Sequence, residues 1–228
     1  MAWYIQTSLL DEDRPTVTVV PDGVAQYDAV RRVLTEKYEN LPKTDPLFAV
    51  ADPVEMINGF ELPDLGPFEV VIRRRSSELP DVINTEIGWL VSAKVKDEIE
   101  RIEPGRHRFF PALVSTEDKS GVEGWTFLNI RGRLDCVALA ASEGVFKRVY
   151  DPDLPEFFRY LEEGGSKTKI AVWKNCTEGR AIWYDYRIKR RFISEEFQQF
   201  IQREGIRGWS LATFDRPNRV REVAEGNN

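Results

Sequence analysis

The sequence predicts an α+β fold of mixed or antiparallel sheets carrying a few capped helices. Three observations predict it. Residues 89–114 read WLVSAKVKDEIERIEPGRHRFFPALV: a short apolar run, a serine, a helical period and a new extended run. Residues 191–214, RFISEEFQQFIQREGIRGWSLATF, repeat that order at an offset of 102 residues, with Ser194, Phe197 and Ile201 in the places of Ser92, Val95 and Ile99. Elsewhere, short β-branched and aromatic runs are bounded by Pro, Gly and Asp, as strands are. A short helix with one apolar stripe buries that stripe on a sheet.

In chain order, residues 2–10 are apolar enough for an edge strand, and Asp11-Glu12-Asp13-Arg14-Pro15 breaks it. Thr16 to Val20 is β-branched throughout, a strand, and Pro21-Asp22-Gly23 signals a turn. From Tyr27 to Tyr38, Val30, Val33 and Leu34 share one helical face. Residues 40–68, rich in Pro, Gly and carboxylates, read as an irregular packed loop anchored by Phe48-Ala49-Val50 and Phe60. Phe68 to Ile72 is the next strand, followed by Arg73-Arg74-Arg75.

In the central unit Ser92 stands where an N-cap belongs, its hydroxyl placed to accept from an early helical N–H. Val95, Ile99 and Ile102 fall at i, i+4 and i+7, Pro104-Gly105 stops the helix, and Phe109-Phe110-Pro111 starts an extended segment. Trp125–Ile130 and Leu134–Leu139 are strands around the turn Arg131-Gly132-Arg133. Lys169–Trp173 and Ala181–Tyr186 read as strands paired across Asn175–Gly179. Residues from Arg219 onward are expected to fray. The repeated pattern marks either a duplicated unit or the common need of short helices for a cap and a stripe. The expected organisation is an acidic N-terminal α+β region over 1–84, an α+β domain over 85–218 and a tail over 219–228.

Composition narrows function by exclusion. Apolar content of 42% and charged content of 31% fit a soluble globule. No apolar run reaches membrane-spanning length, and the N-terminus lacks the basic start and apolar core of a signal peptide, so the cytoplasm is the expected location. Two cysteines are too few for a disulfide scaffold and fit a reducing compartment, with one bridge left open. The net charge of −6 is uneven: residues 1–70 carry 13 acidic and 5 basic side chains, the rest 25 and 27. An acidic surface repels nucleic acid and attracts basic partners.

Chemistry is sparse. His107 is the only histidine, and Cys136 and Cys176 lack ligand spacing, so a zinc site is disfavoured. His107, between Arg106 and Arg108, is expected on a surface loop or edge strand. Cys136 lies in an apolar strand, where it is expected to act as a small hydrophobe. No P-loop, GxGxxG, GxSxG or HExxH occurs. Asp185 and Glu178 form one carboxylate pair among 38 acidic residues and carry no assignment. No catalytic residue, metal or cofactor is therefore expected. Lys189-Arg190-Arg191, with Trp183, Tyr184 and Tyr186 beside it, reads either as a charged guard on an edge strand or as an RNA-binding surface.

Three segments carry a resemblance: residues 89–114, residues 125–143 (WTFLNIRGRLDCVALAASE) and residues 190–214. Their features are a Val-Ser strand end before a helix, with a Pro…Phe-Phe-Pro exit. A strand bearing Leu128-Asn129-Ile130 follows, then Asp135 and Ser142, and a second helix led by Ser194 with a strand led by Gly208. Over about residues 85–215 the chain resembles the bacterial immunity proteins of the eleventh immunity family of polymorphic toxin systems. The resemblance implies a protein that binds a co-encoded toxin and blocks it, with no catalysis, no cofactor and no membrane. Toxin domains that attack nucleic acids carry basic sites, which an acidic surface would occupy. The candidate contacts are accordingly Asp11, Glu12, Asp13, Asp45, Asp52, Glu55, Glu61 and Asp64, all in expected loops. The competing readings are a small-molecule-binding or enzymatic α+β domain with an unrecognised site, and an RNA-binding module using Lys189–Arg191.

Overall fold

A computed structural model of the chain describes residues 1–7, 15–40, 54–73, 79–117, 120–150, 152–153, 155, 158–163, 168–213, 216–217 and 219–224. The first third gives β1 (Ala2–Thr7), β2 (Thr16–Val19), α1 (Pro21–Glu39), β3 (Phe68–Arg73) and β4 (Val82–Asn84). The first strand–helix–strand unit is β5 (Trp89–Ser92), α2 (Ala93–Ile102) and β6 (Arg108–Thr116), followed by β7 (Gly121–Val122), β8 (Trp125–Asn129) and β9 (Arg133–Leu134). A 3-10 turn at Leu139–Ala141 leads to β10 (Val145–Val149), β11 (Phe158–Glu162), β12 (Ala171–Trp173), the one-turn α3 (Lys174–Thr177) and β13 (Ile182–Asp185). The second unit is β14 (Arg190–Ser194), α4 (Glu195–Arg203) and β15 (Trp209–Ser210), and the chain closes with β16 (Ala212–Thr213), β17 (Arg216–Pro217) and β18 (Arg219–Val223).

The α+β class stands. One mixed sheet has the order β2-β3-β6-β8-β5-β4, with β7 beside β6. The other has the order β12-β18-β1-β14-β13-β9, with β15 on β1. The two units share a topology as well as a sequence pattern. β5 and β6 flank β8, both antiparallel to it, so that Trp89 and Phe109 are both cross-strand neighbours of Leu128. β14 and β15 are likewise both antiparallel to one strand, β1. Each unit thus closes around a strand from elsewhere in the chain.

The helices meet over a shared core. Val95 and Ile99 of α2 and Phe197, Phe200 and Ile201 of α4 are buried. Trp209 stands edge-on to Trp89 at 5.3 Å and to Phe197 at 5.9 Å between ring centres, so the two units fill one apolar space. Outside it, Arg101 of α2 reaches Glu196 of α4 at 2.6 Å and Lys94 reaches Glu204 at 3.4 Å. Such exposed pairs orient more than they stabilise.

Several expectations are corrected. α1 begins at Pro21, not Tyr27, because proline at the first helical position has its φ preset and needs no N–H partner. Its Val33 is 62% exposed, while Val24, Val30, Leu34 and Tyr38 pack on the core. Ser92 is the residue before α2, but its hydroxyl donates to Asp81 Oδ1 at 3.1 Å and caps nothing; Ser194 does accept from Phe197 N at 3.2 Å. Residues 169–173 and 181–186 do not pair with each other. β12 pairs with β18, and β13 with β14 and β9. Of the expected strand Leu134–Leu139, β9 keeps only Leu134: Cys136 gives its N–H to the Asp185 side chain, and beyond it Val137 makes an isolated antiparallel bridge with Val172. The segment from Arg219, expected to fray, is β18: it pairs with β12 and β1, and Val220 is buried. Phe48-Ala49-Val50 lies outside the described residues.

Gly208 is where the second unit crosses the other sheet. Its φ is +107°, and a Cβ there would sit 1.9 Å from the carbonyl oxygen of Val82, whose own N–H bonds Arg207 O at 3.0 Å. Gly205 has φ +62° and open space around it. Gly208→Ala should therefore cost at least about 2 kcal/mol and Gly205→Ala about 1 kcal/mol, read from urea unfolding midpoints.

Candidate functional site

The best-defined platform at the surface is the segment 54–66. It has no regular structure, so its backbone groups need partners from elsewhere. Asn129, fully buried on β8, supplies them: Nδ2 donates to the carbonyls of Met56 and Phe60, both at 2.9 Å, and Oδ1 accepts from Leu62 N at 3.4 Å. An amide, with two donors and an acceptor, fits this task where a carboxylate does not. Ile130 N and Gly132 N add bonds to Met56 O and Gly59 O at 2.8 and 3.0 Å. Met56, Phe60, Leu62 and Leu65 are buried beneath, and the segment is pinned at both faces.

Three of the expected contact residues ride on this platform. Glu61 lies 2.6 Å from Arg131, Asp64 3.2 Å from Arg108, and Glu55 4.0 Å from Arg191 while accepting from Asn58 Nδ2 at 3.1 Å. Asp64 is 95% and Glu61 70% exposed. All three lie on one stretch of the sequence. Each already has an arginine of its own, which pattern reading did not foresee. Asp11, Glu12, Asp13, Asp45 and Asp52 lie outside the described residues.

The basic cluster is engaged inside the fold. Arg190 pairs with Glu162 at 2.7 Å, and Arg191 bonds Ile57 O at 3.1 Å and the side chain of Asn58. Trp183, Tyr184 and Tyr186 are buried, so they offer no open face for a base to stack on. β14 is interior to its sheet, so the guarded-edge reading also fails. Arg73 pairs with Glu117 at 3.2 Å; Arg74 and Arg75 lie outside the described residues.

Cations and rings alternate from the platform to the β10–β11 ribbon. Arg133 sits over Phe60 at 4.3 Å and Tyr186 at 5.4 Å, Arg187 over Tyr186 at 4.8 Å and Phe158 at 3.9 Å, and Lys147 over Phe158 at 4.0 Å. Each contact is worth about 0.5–2 kcal/mol depending on desolvation. Asp135 of the recurring motif joins in, 3.4 Å from Arg187 Nε. Ser142, its other member, donates to Ala138 O and accepts from Ala171 N, both at 2.9 Å.

The interior titratable groups are held by backbone. His107, expected at the surface, is buried: its Nε2 lies 2.5 Å from Glu103 Oε1, and its Nδ1 accepts from Arg131 N at 3.1 Å. Asp185 is fully buried and accepts from the N–H groups of Cys136, Arg187 and Ile188 at 2.7, 2.9 and 3.1 Å. Burial pushes its carboxyl up to about 7 against the pull of those three donors. Cys136, buried as expected, has its thiol pushed up by a hydrogen bond with Cys176 and by burial, the reverse of an activated nucleophile. Among the described residues no group of three His, Cys, Asp or Glu side chains converges on a metal position, and no helix is long and apolar enough to cross a membrane.

The model of the Immunity protein family (Imm11) matches residues 11–215. No curated protein matches the chain.

Asn129→Ala should cost about 2–4 kcal/mol by leaving buried backbone groups unpaired, and should speed amide exchange at Leu62 more than at Ile99. Asp185 gives a pH signature. With its folded pKa above the unfolded value, the native chain binds more protons between pH 3.8 and about 7, so this group's contribution is present below that window and lost as pH rises through it. Relative to Asp185→Asn, the wild type should lose up to about 1.4 kcal/mol of stability per pH unit across the window. Parallel slopes in urea titrations would remove Asp185 as the cause.

Proposed function

The chain belongs to the Immunity protein family (Imm11), and from that premise we propose that it is an antitoxin, binding a co-encoded toxin one-to-one and neutralising it by protein–protein contact in the cytoplasm of a bacterium. The family match over residues 11–215 carries this reading. The interior supports it: Glu103, His107 and Asp185 are occupied by backbone N–H groups. A catalytic base needs instead a lone pair facing substrate.

The proposed contact comprises the segment 54–66 with Glu55, Glu61 and Asp64, together with Asp11, Glu12, Asp13, Asp45 and Asp52. The excess of 13 acidic over 5 basic side chains in residues 1–70 would steer a basic toxin surface toward it. Glu61 and Asp64 are exposed enough to exchange Arg131 and Arg108 for cations of the toxin. The rigidity given by Asn129 lowers the ordering cost of such docking.

Co-expression with the toxin gene adjacent to this one should rescue growth, and the purified pair should bind. Reversing Asp52, Glu55, Glu61 and Asp64 to Lys should weaken binding at least about tenfold, mostly through a slower kon that responds to salt. Unchanged affinity would remove the acidic contact; absent rescue and absent binding would remove the antitoxin role.

A further inference from the structure

We propose that the outward face of the β10–β11 ribbon is a second docking surface for the toxin, fitted to an acidic patch on it. This rests on the antitoxin reading and adds a contact of opposite sign to the acidic one.

The ribbon register separates its two faces. Val145, Phe146, Lys147, Arg148 and Val149 stand opposite Glu162, Leu161, Tyr160, Arg159 and Phe158. Side chains directly opposite project from the same face, and successive pairs alternate. Val145 and Tyr160 pack on the cluster built from Cys136, Val137, Trp183 and Phe192. Phe158 carries Arg187, and Glu162 holds Arg190. That set is the inward face. The outward face is therefore Phe146, Leu161, Arg148 and Arg159, extended by Tyr150, over whose ring Arg148 lies at 5.3 Å.

This outward face breaks two local rules. Phe146 and Tyr150 are 44% and 43% exposed, large rings left in water. Arg148 and Arg159 are direct cross-strand neighbours, and like charges so placed are destabilising. Neither has an ion pair among the described residues, and half-buried Arg159 has its Nε without a hydrogen-bond partner. Carboxylates on a partner would relieve the repulsion, and the two rings would anchor it.

The chemistry selects among occupants. A second copy of this chain in a two-fold contact would set four guanidinium groups against one another. A nucleic acid would have to approach a chain of net charge −6. An acidic protein patch suffers neither penalty.

Arg159→Glu is the test, because it turns the repulsive pair into an attractive one. Binding to the purified product of the adjacent toxin gene should fall at least about tenfold, while the Tm holds or rises. Phe146→Ser, at an exposed position, should also weaken binding about tenfold with the Tm unchanged, and it decides the matter if Arg159→Glu fails to fold. Wild-type affinity in the variant that folds overturns the ribbon while the antitoxin role stands. No binding by the wild-type chain removes both. A single-stranded oligonucleotide that binds the wild type and is lost in Arg159→Glu, with toxin affinity unchanged, assigns the ribbon to nucleic acid and also overturns it.

Discussion

One buried carboxylate joins the two halves of the molecule. Glu103 follows the last turn of α2 and is 3% exposed. Its Oε1 accepts from Ala181 N and Ile182 N, both at 3.0 Å, so a side chain of the first unit binds the backbone leading into β13 of the other sheet. Because His107 Nδ1 accepts from Arg131, its Nε2 carries the proton and donates to the same oxygen. Arg106 lies 3.1 Å from the second oxygen. Burying a charge costs several kcal/mol, which three donors on Oε1 and the Arg106 cation beside Oε2 offset. The arrangement fixes where α2 ends, where β13 begins and how the turn after β8 runs. That turn carries Arg131 and Gly132, which meet the acidic platform. The position of the proposed contact therefore traces back to this carboxylate.

Much of the fold was legible because it rests on local periodicity. Val95 and Ile99, and Phe197 and Ile201, are buried where an amphipathic helix demands it, and the repeated order of the units became a repeated topology. What escaped was set at long range. His107 between two arginines looks solvated until Glu103 and Arg131 close around it. Ser92 has the sequence of a cap, but Asp81 competes for its hydroxyl. A strand pattern specifies faces and leaves partners open; hence β12 and β13 were recognisable as strands while their neighbours were not. Arg219 to Val223 carries too little apolar content to announce itself, and its place depends on the open edges of β12 and β1.

The candidate site was legible in part for the same reason. Acidic bias in the first third is a property of composition, and it places Glu55, Glu61 and Asp64 within the segment 54–66. Their pairing with Arg191, Arg131 and Arg108 is tertiary. Asn129 stood out only as a recurrent letter in a strand; its function as a clamp appears once Met56 and Phe60 present their carbonyls. Asp135 and Ser142 follow the same pattern, one holding Arg187 and the other stitching residues 138 and 171. The residues that carry the resemblance are thus long-range ties that hold a surface in place.

The division between interior and surface bears on function directly. Inside, His107 Nδ1, Glu103 Oε1 and both oxygens of Asp185 accept from backbone donors, Glu103 Oε2 faces Arg106, and the thiols of Cys136 and Cys176 face each other. Groups so held tie distant parts of the backbone to one another. At the surface the local rules relax: two acids hold arginines they could trade, and two arginines share a cross-strand position with exposed rings on either side. Natural sequences tend to break local consistency where another constraint acts on them. A like-charge pair set directly across two strands is an exception that folding alone does not account for, and a complementary surface on a bound protein does.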